Sequence, residues 1–172
     1  PGEGWAMKYF LKLKCKYSAI EHSDRLSSLI QKKGGNVIGK DLYDDYSKYK
    51  SKFDVIIFRH VLEHLLNPME GLVALKKLLS SDGLIYVNLP NAENPNQFGK
   101  GFKTSYIRPV HISYFCIENV LRLANSVGLD SIYSESDGQI YCLLKHSPVK
   151  HISRNLYDRQ KEIYIKKSKE AL

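Results

Sequence analysis

Phe53-Asp54-Val55-Ile56-Ile57-Phe58 is the stretch that decides the fold class of this 172-residue chain. It is a short apolar run rich in β-branched and aromatic residues, the pattern of a strand buried in a parallel sheet. Beyond it, after a turn, Asn67-Pro68-Met69-Glu70 reads as an N-cap, a proline at the first helical position and an acid at the third. Leu72, Val73, Leu75 and Leu79 supply that helix's apolar stripe, and Ser80–Gly83 is expected to stop it. Leu84–Leu89 is the next strand, closed by Pro90. Asn91–Val110 mixes Gly, Pro, Asn and aromatic residues without a period, and an irregular connection of this length is usually functional. A further helix carries Val120, Leu121, Ala124 and Val127 on one face and ends at Gly128. Residues 131–136 and 139–145 then flank Asp137-Gly138, a strong hairpin signal.

On the other side of the opening stretch the same alternation holds. Residues 5–13 form a short helix and Tyr17–Glu21 a strand. Ser23 is an N-cap, and Leu26, Leu29 and Ile30 share one face of a helix that Gly34-Gly35 ends. Val37-Ile38 starts another strand, and Asp41–Lys52 is a polar, tyrosine-rich connection. Strands alternating with helices imply an α/β chain built on a mostly parallel sheet with helices on both faces, here finished by a C-terminal antiparallel hairpin.

Composition excludes several classes. Apolar residues make up 43% of the chain, so it is globular rather than disordered. No apolar run approaches the ~20 residues of a membrane span. The opening Pro1-Gly2-Glu3-Gly4-Trp5 lacks the regions of a signal peptide, and without an initiating Met further residues are expected upstream. Cys15, Cys116 and Cys142 are odd in number and far apart, which predicts reduced thiols and a cytoplasmic location. The net charge is +8, but Lys150–Leu172 holds seven Lys or Arg against three Asp or Glu, so half the excess sits in a short tail. A solvated helix face accounts for such a tail more simply than a nucleic-acid-binding arm.

In open α/β sheets the ligand lies beyond the carboxyl ends of the strands, so those ends carry the candidate site. Gly2 and Gly4 precede the first helix, and Glu21 closes the next strand 19 residues after Gly2. A glycine-rich turn admits a ligand close to the backbone, and an acid about 20 residues on can hold two ribose hydroxyls. Asp41, after the following strand, suits an adenine amino group with Leu42 against the ring, although Asp at such a place also serves simply as a turn-former.

Phe53–Leu65 as a whole, FDVIIFRHVLEHL, resembles the FDxxxxxxVLEHL segment of class I S-adenosylmethionine-dependent methyltransferases. The Pro68 helix, the strand DGLIYVNLPN (Asp82–Asn91) and the HISYF…L…GL run from His111 to Leu129 are similar too, in order, from about Gly2 to His146. The resemblance implies a Rossmann-like methyltransferase domain over residues 1–147, followed by a basic helical tail over 148–172. It implies S-adenosylmethionine as cofactor, contacted by Gly2, Gly4, Glu21, Asp41 and Leu42, with Arg59 and His60 lining its methionine side. The family's first strand and the start of its glycine motif are expected to precede Gly2.

The reaction so implied is an in-line displacement, in which positioning alone is worth ~7–11 kcal/mol of barrier. A hydroxyl acceptor also needs a base. His111, following the long connection, is the first candidate, although a histidine there also serves simply to bond a backbone carbonyl and fix the loop; His60 and His64 come next. A hydroxyl on a small molecule or glycan precursor is the expected acceptor; transfer to RNA or protein, or a non-catalytic remnant of the fold, are the alternatives. A nicotinamide dehydrogenase is disfavoured by the terminal hairpin and the VLEHL segment. His60-Val61-Leu62-Glu63-His64 also matches the HxxEH of inverted zinc peptidases. It follows a strand directly, however, with little helix to hold a zinc pair and no third ligand evident, so no metal is expected. Tyr46-Ser47-Lys48-Tyr49-Lys50 matches the YxxxK of short-chain dehydrogenases but reads as a solvated segment.

Overall fold

The computed structural model describes Gly4, residues 6–94 and 110–150, and Lys161, Glu162 and Ile165. Gly2, most of the 91–110 connection and nearly all of the basic tail lie outside the described residues. The chain forms two compact units, Pro1–Ser47 and Lys48–Leu172, a division inside the segment that the sequence assigns to a single domain.

The first unit runs α1 (Met7–Lys12), β1 (Ser18–Ile20), α2 (Asp24–Lys32) and β2 (Asn36–Gly39). β1 and β2 pair in parallel, with Ala19 opposite Val37. Ser23 caps α2 as expected, its Oγ accepting the Leu26 N–H at 3.4 Å. Met7, Ala19 and Ile30 form the buried cluster, with Leu11, Tyr17 and Val37 packed around it. Gly35 lies against this cluster: a Cβ there would stand 2.6 Å from Met7 Sδ and 2.7 Å from Ile30 Cγ2. Its glycine is therefore required by packing.

The second unit contains β3 (Phe53–Arg59), α3 (Pro68–Leu78), β4 (Leu79–Pro90), α4 (Ile117–Ser126), β5 (Leu129–Ser136) and β6 (Gln139–His146). Its sheet has the order β3-β4-β6-β5, with β3 parallel to β4 and the hairpin strands antiparallel. Ile85, Val87 and Leu89 of β4 face Leu144, Cys142 and Ile140 of β6 across the ladder, and all six side chains are fully buried. α3 and α4 pack on each other and against β4 and β5. Lys76 of α3 donates from Nζ to the Val127 carbonyl at 2.8 Å, capping the end of α4. Gly128 then reverses the chain at φ +76°, a conformation that a side chain makes costly.

Two expectations change here. β4 begins at Leu79, not Leu84, because Leu79 is already extended (ψ 133°) and pairs with Phe53. Residues 80–83 bulge between that pair and the Val55–Leu84 pair. The Phe53–Phe58 strand is buried on one face only: Phe58 is inside, whereas Val55 is 51% exposed and Ile57 39% exposed. In the second unit β3 is an edge strand, with β4 its only neighbour among the described residues.

Gly35→Ala should lower stability by about 1–3 kcal/mol through overpacking of the Met7–Ile30 cluster. Urea unfolding checks this, and an unchanged midpoint would remove the packing argument.

Candidate active site

The end of β3 departs sharply from strand geometry. His60 takes φ +50°, unusual outside glycine, and its N–H donates to the Asn88 carbonyl of β4 at 2.8 Å. Arg59 Nε donates to Asn88 Oδ1 at 3.1 Å. Asn88 Nδ2 in turn donates to Gln139 Oε1 at 2.8 Å and to the Ile140 carbonyl at 3.1 Å. One buried amide thereby ties together the ends of β3, β4 and β6. Nearby on β4, burial holds the Tyr86 phenol above its usual range; Tyr141 adds to the shift and Arg59 opposes it.

The chain next makes a 3-10 turn at Leu62–His64, which buries Glu63 to 2% exposure. Glu63 Oε1 lies 3.2 Å from His60 Nδ1 and 3.9 Å from His64 Nε2. The Glu63 carbonyl accepts the N–H groups of Ile112 and Ser113, at 2.9 and 3.1 Å. His64 Nδ1 meets the Val110 carbonyl at 2.7 Å, and the His64 and His111 rings are edge-to-face with centroids 5.0 Å apart. The three imidazoles named by the sequence thus gather around one buried carboxylate. Glu63, His64 and His111 present ligand-capable atoms all within 4.8 Å of one another, a group that does not include His60, the first histidine of the HxxEH match.

In the first unit, Gly4 is buried with φ +76°. Glu21 stands just past β1 at 9% exposure, its Oε1 accepting the Ser23 N–H at 3.0 Å. Its own N–H donates to the Gly39 carbonyl at 3.0 Å, which fixes the backbone from which the carboxylate projects. Asp41 is exposed and forms a turn, Oδ1 accepting the Tyr43 N–H at 2.9 Å, while Leu42 is half-buried. Tyr46 corrects the reading of its segment as solvated. It is 8% exposed, its hydroxyl donates to the Asp41 carbonyl at 2.5 Å, and burial pushes its pKa up to about 12. A Cβ on Gly39 would collide with that hydroxyl, so strand β2 ends in a glycine to admit the ring.

Sequence reading missed Asn88, Gln139 and the buried state of Glu63. The available signal was polarity at strand ends: Asn88 interrupts an otherwise apolar β4, and Gln139 opens β6.

The family model described as "Methyltransferase domain" matches residues 1–134. Among solved structures, an S-adenosylmethionine-dependent methyltransferase from Mesorhizobium loti aligns at TM-score 0.68 and 12% identity, covering 84% of this chain and 87% of that one. A TehB-like SAM-dependent methyltransferase from Corynebacterium glutamicum aligns at TM-score 0.63 and 15% identity, over 85% and 76%. The 1,6-didemethyltoxoflavin-N1-methyltransferase of Burkholderia thailandensis, with 1,6-didemethyltoxoflavin and S-adenosylhomocysteine bound, aligns at TM-score 0.59 and 15% identity, over 87% and 68%. A search of curated proteins returns no match.

Asn88→Ala should cost about 1–3 kcal/mol, because it leaves Gln139 and the Ile140 carbonyl without their donor. Urea unfolding with unchanged far-UV circular dichroism in the folded baseline is the expected outcome. Wild-type stability would show that the amide ties nothing together.

Proposed function

This chain belongs to the S-adenosylmethionine-dependent methyltransferase family, and we propose that it methylates a hydroxyl of a small molecule or glycan precursor. The observation that carries the reading is His60 held at 3.2 Å by the buried carboxylate of Glu63. A carboxylate accepts only, so it fixes the proton on His60 Nδ1 and leaves Nε2 as the basic nitrogen. Heteroaromatic nitrogen is nucleophilic without assistance, whereas a hydroxyl gains most from losing its proton as the new bond forms. An oriented base therefore favours oxygen. The small-molecule acceptor bound to the Burkholderia enzyme supports the size class.

The residues at the strand ends fit the cofactor. Glu21, almost buried and oriented by the Ser23 N–H, offers a carboxylate for ribose hydroxyls, and the positive φ of buried Gly4 lets backbone come close to a ligand. Asp41 and Leu42 are assigned to the adenine, and Gly2 to the same turn as Gly4. Arg59 and His60 are assigned to the methionine side. When bound, the cofactor would supply an electrophilic methyl on a sulfonium, with a neutral thioether as the leaving group as the oxygen–carbon bond forms. His60 Nε2 takes the hydroxyl proton, and Glu63 stabilises the imidazolium so formed. His111 and His64 stand beside this pair and shape the acceptor side.

The complete protein should bind S-adenosylhomocysteine at micromolar concentration by calorimetry and should not bind NAD. Glu21→Ala should weaken that binding tenfold or more, about 1.4 kcal/mol, without loss of fold; unchanged affinity would sink the ribose assignment. With isotopically labelled methyl donor and a panel of phenols, sugars and amines, mass spectrometry should find label in an O-methyl product, with turnover falling ~10²–10⁴-fold in His60→Ala. Label only in amines, RNA or protein would overturn the hydroxyl assignment.

A further inference from the structure

We propose that Glu63, His64 and His111 form a binding site for a divalent transition-metal cation, with an open side that receives the acceptor oxygen. The role of the open side rests on the methyl-transfer reading above; the cation site does not. The three residues offer two imidazole nitrogens and a carboxylate oxygen within 4.8 Å of one another. That donor set suits first-row cations such as zinc, cobalt, manganese or iron, since magnesium and calcium prefer oxygen throughout. Three protein ligands also leave coordination positions free, as in catalytic rather than structural sites.

A second observation points the same way. The Glu63 side chain is 3% exposed and aimed at the histidines, and its Oε2 is buried with no hydrogen-bond partner among the described residues. A carboxylate oxygen kept from water without a donor calls for a positive charge beside it. The tautomer of His64 agrees. The Val110 carbonyl can only accept, so at 2.7 Å it fixes the proton on Nδ1. The lone pair is left on Nε2, the nitrogen 3.9 Å from Glu63 Oε1. A backbone carbonyl holding the far nitrogen is the usual outer support of a metal-bound histidine.

The scaffold is fixed as well. Ile112 and Ser113 donate to the Glu63 carbonyl, binding the strand of chain that carries His111 to the turn that carries Glu63 and His64. Ligands held about 2.1 Å from one ion stand roughly 3–4 Å apart, so side-chain rotations of about 1 Å close the set. His60 remains outside the ligand set, on Glu63 Oε1, and keeps its basic nitrogen.

The test uses the full-length protein stripped by chelator and titrated with cobalt(II) chloride, followed by visible absorption, and with zinc chloride by calorimetry. Neither methyl donor nor acceptor is added. One equivalent should bind at micromolar concentration or below, with a cobalt band typical of nitrogen and oxygen ligands. Glu63→Gln and His111→Ala should each weaken binding at least tenfold. If either melts early, His111→Asn and His64→Asn serve in its place at matched thermal stability. Absence of binding, wild-type affinity in the variants, or loss of binding in Cys15→Ser, whose thiol is exposed, would overturn the site. Affinity for S-adenosylhomocysteine in the same metal-free protein tests the family reading separately, so failure of one is distinguishable from failure of the other.

Discussion

A carboxylate kept from water dictates much of what surrounds the end of β3. Glu63 at 2% exposure cannot be left uncompensated, because desolvating a lone charge costs far more than an ordinary side-chain contact returns. The local structure answers with histidines on two sides and with a backbone clamp. His60 adopts φ +50°, and with this turn its Nδ1 lies 3.2 Å from the carboxylate. Strain of this kind persists only where the surroundings enforce it, and the His60 N–H bond to Asn88 is one such constraint. The Glu63 carbonyl, accepting two N–H groups from the segment after His111, is another.

Those constraints need a rigid base, which the apolar seam between β4 and β6 provides. Ile85, Val87 and Leu89 against Leu144, Cys142 and Ile140 exclude water along the strand pair. Cys142 reports that exclusion chemically, since burial alone pushes its thiol up to about 12. Polarity returns towards the strand ends, where the buried Asn88 amide cross-links three strands. Apolar centre and polar rim are thus a division of labour along one strand: the centre fixes register, and the rim aims functional groups.

Much of this was legible in the residues. The α3 cap, the Asp137-Gly138 hairpin, the Ser23 cap and the glycine endings follow from local chemistry, and local chemistry survives folding. What failed to read through was non-local. Val55 and Ile57 have strand composition, but composition does not report which neighbour covers a face, and both are exposed. Tyr46 lies among charged residues and looked solvated, yet Gly39, distant by several positions, opens the space that buries its ring. In the candidate site the three histidines were nameable one at a time. Their convergence was not, because the intervening α3, β4 and the 91–110 connection separate His111 from His64 by 47 residues.

The gathering of His60, His64 and His111 around Glu63 also sets a choice between two ways of balancing one buried charge. With no cation, His60 Nδ1 at 3.2 Å is the nearest donor to the carboxylate, and it occupies one oxygen only. With a dication on Glu63, His64 and His111, as proposed above, the ligating imidazoles would present lone pairs rather than protons, and the ion would stand against the second oxygen, which is buried with no hydrogen-bond partner among the described residues. His60 keeps its place on the first oxygen in either case, so the nitrogen proposed as the base is the same in both. On that proposal Glu63 would have two separate duties, one for each oxygen: Oε1 holds His60, and Oε2 faces the cation.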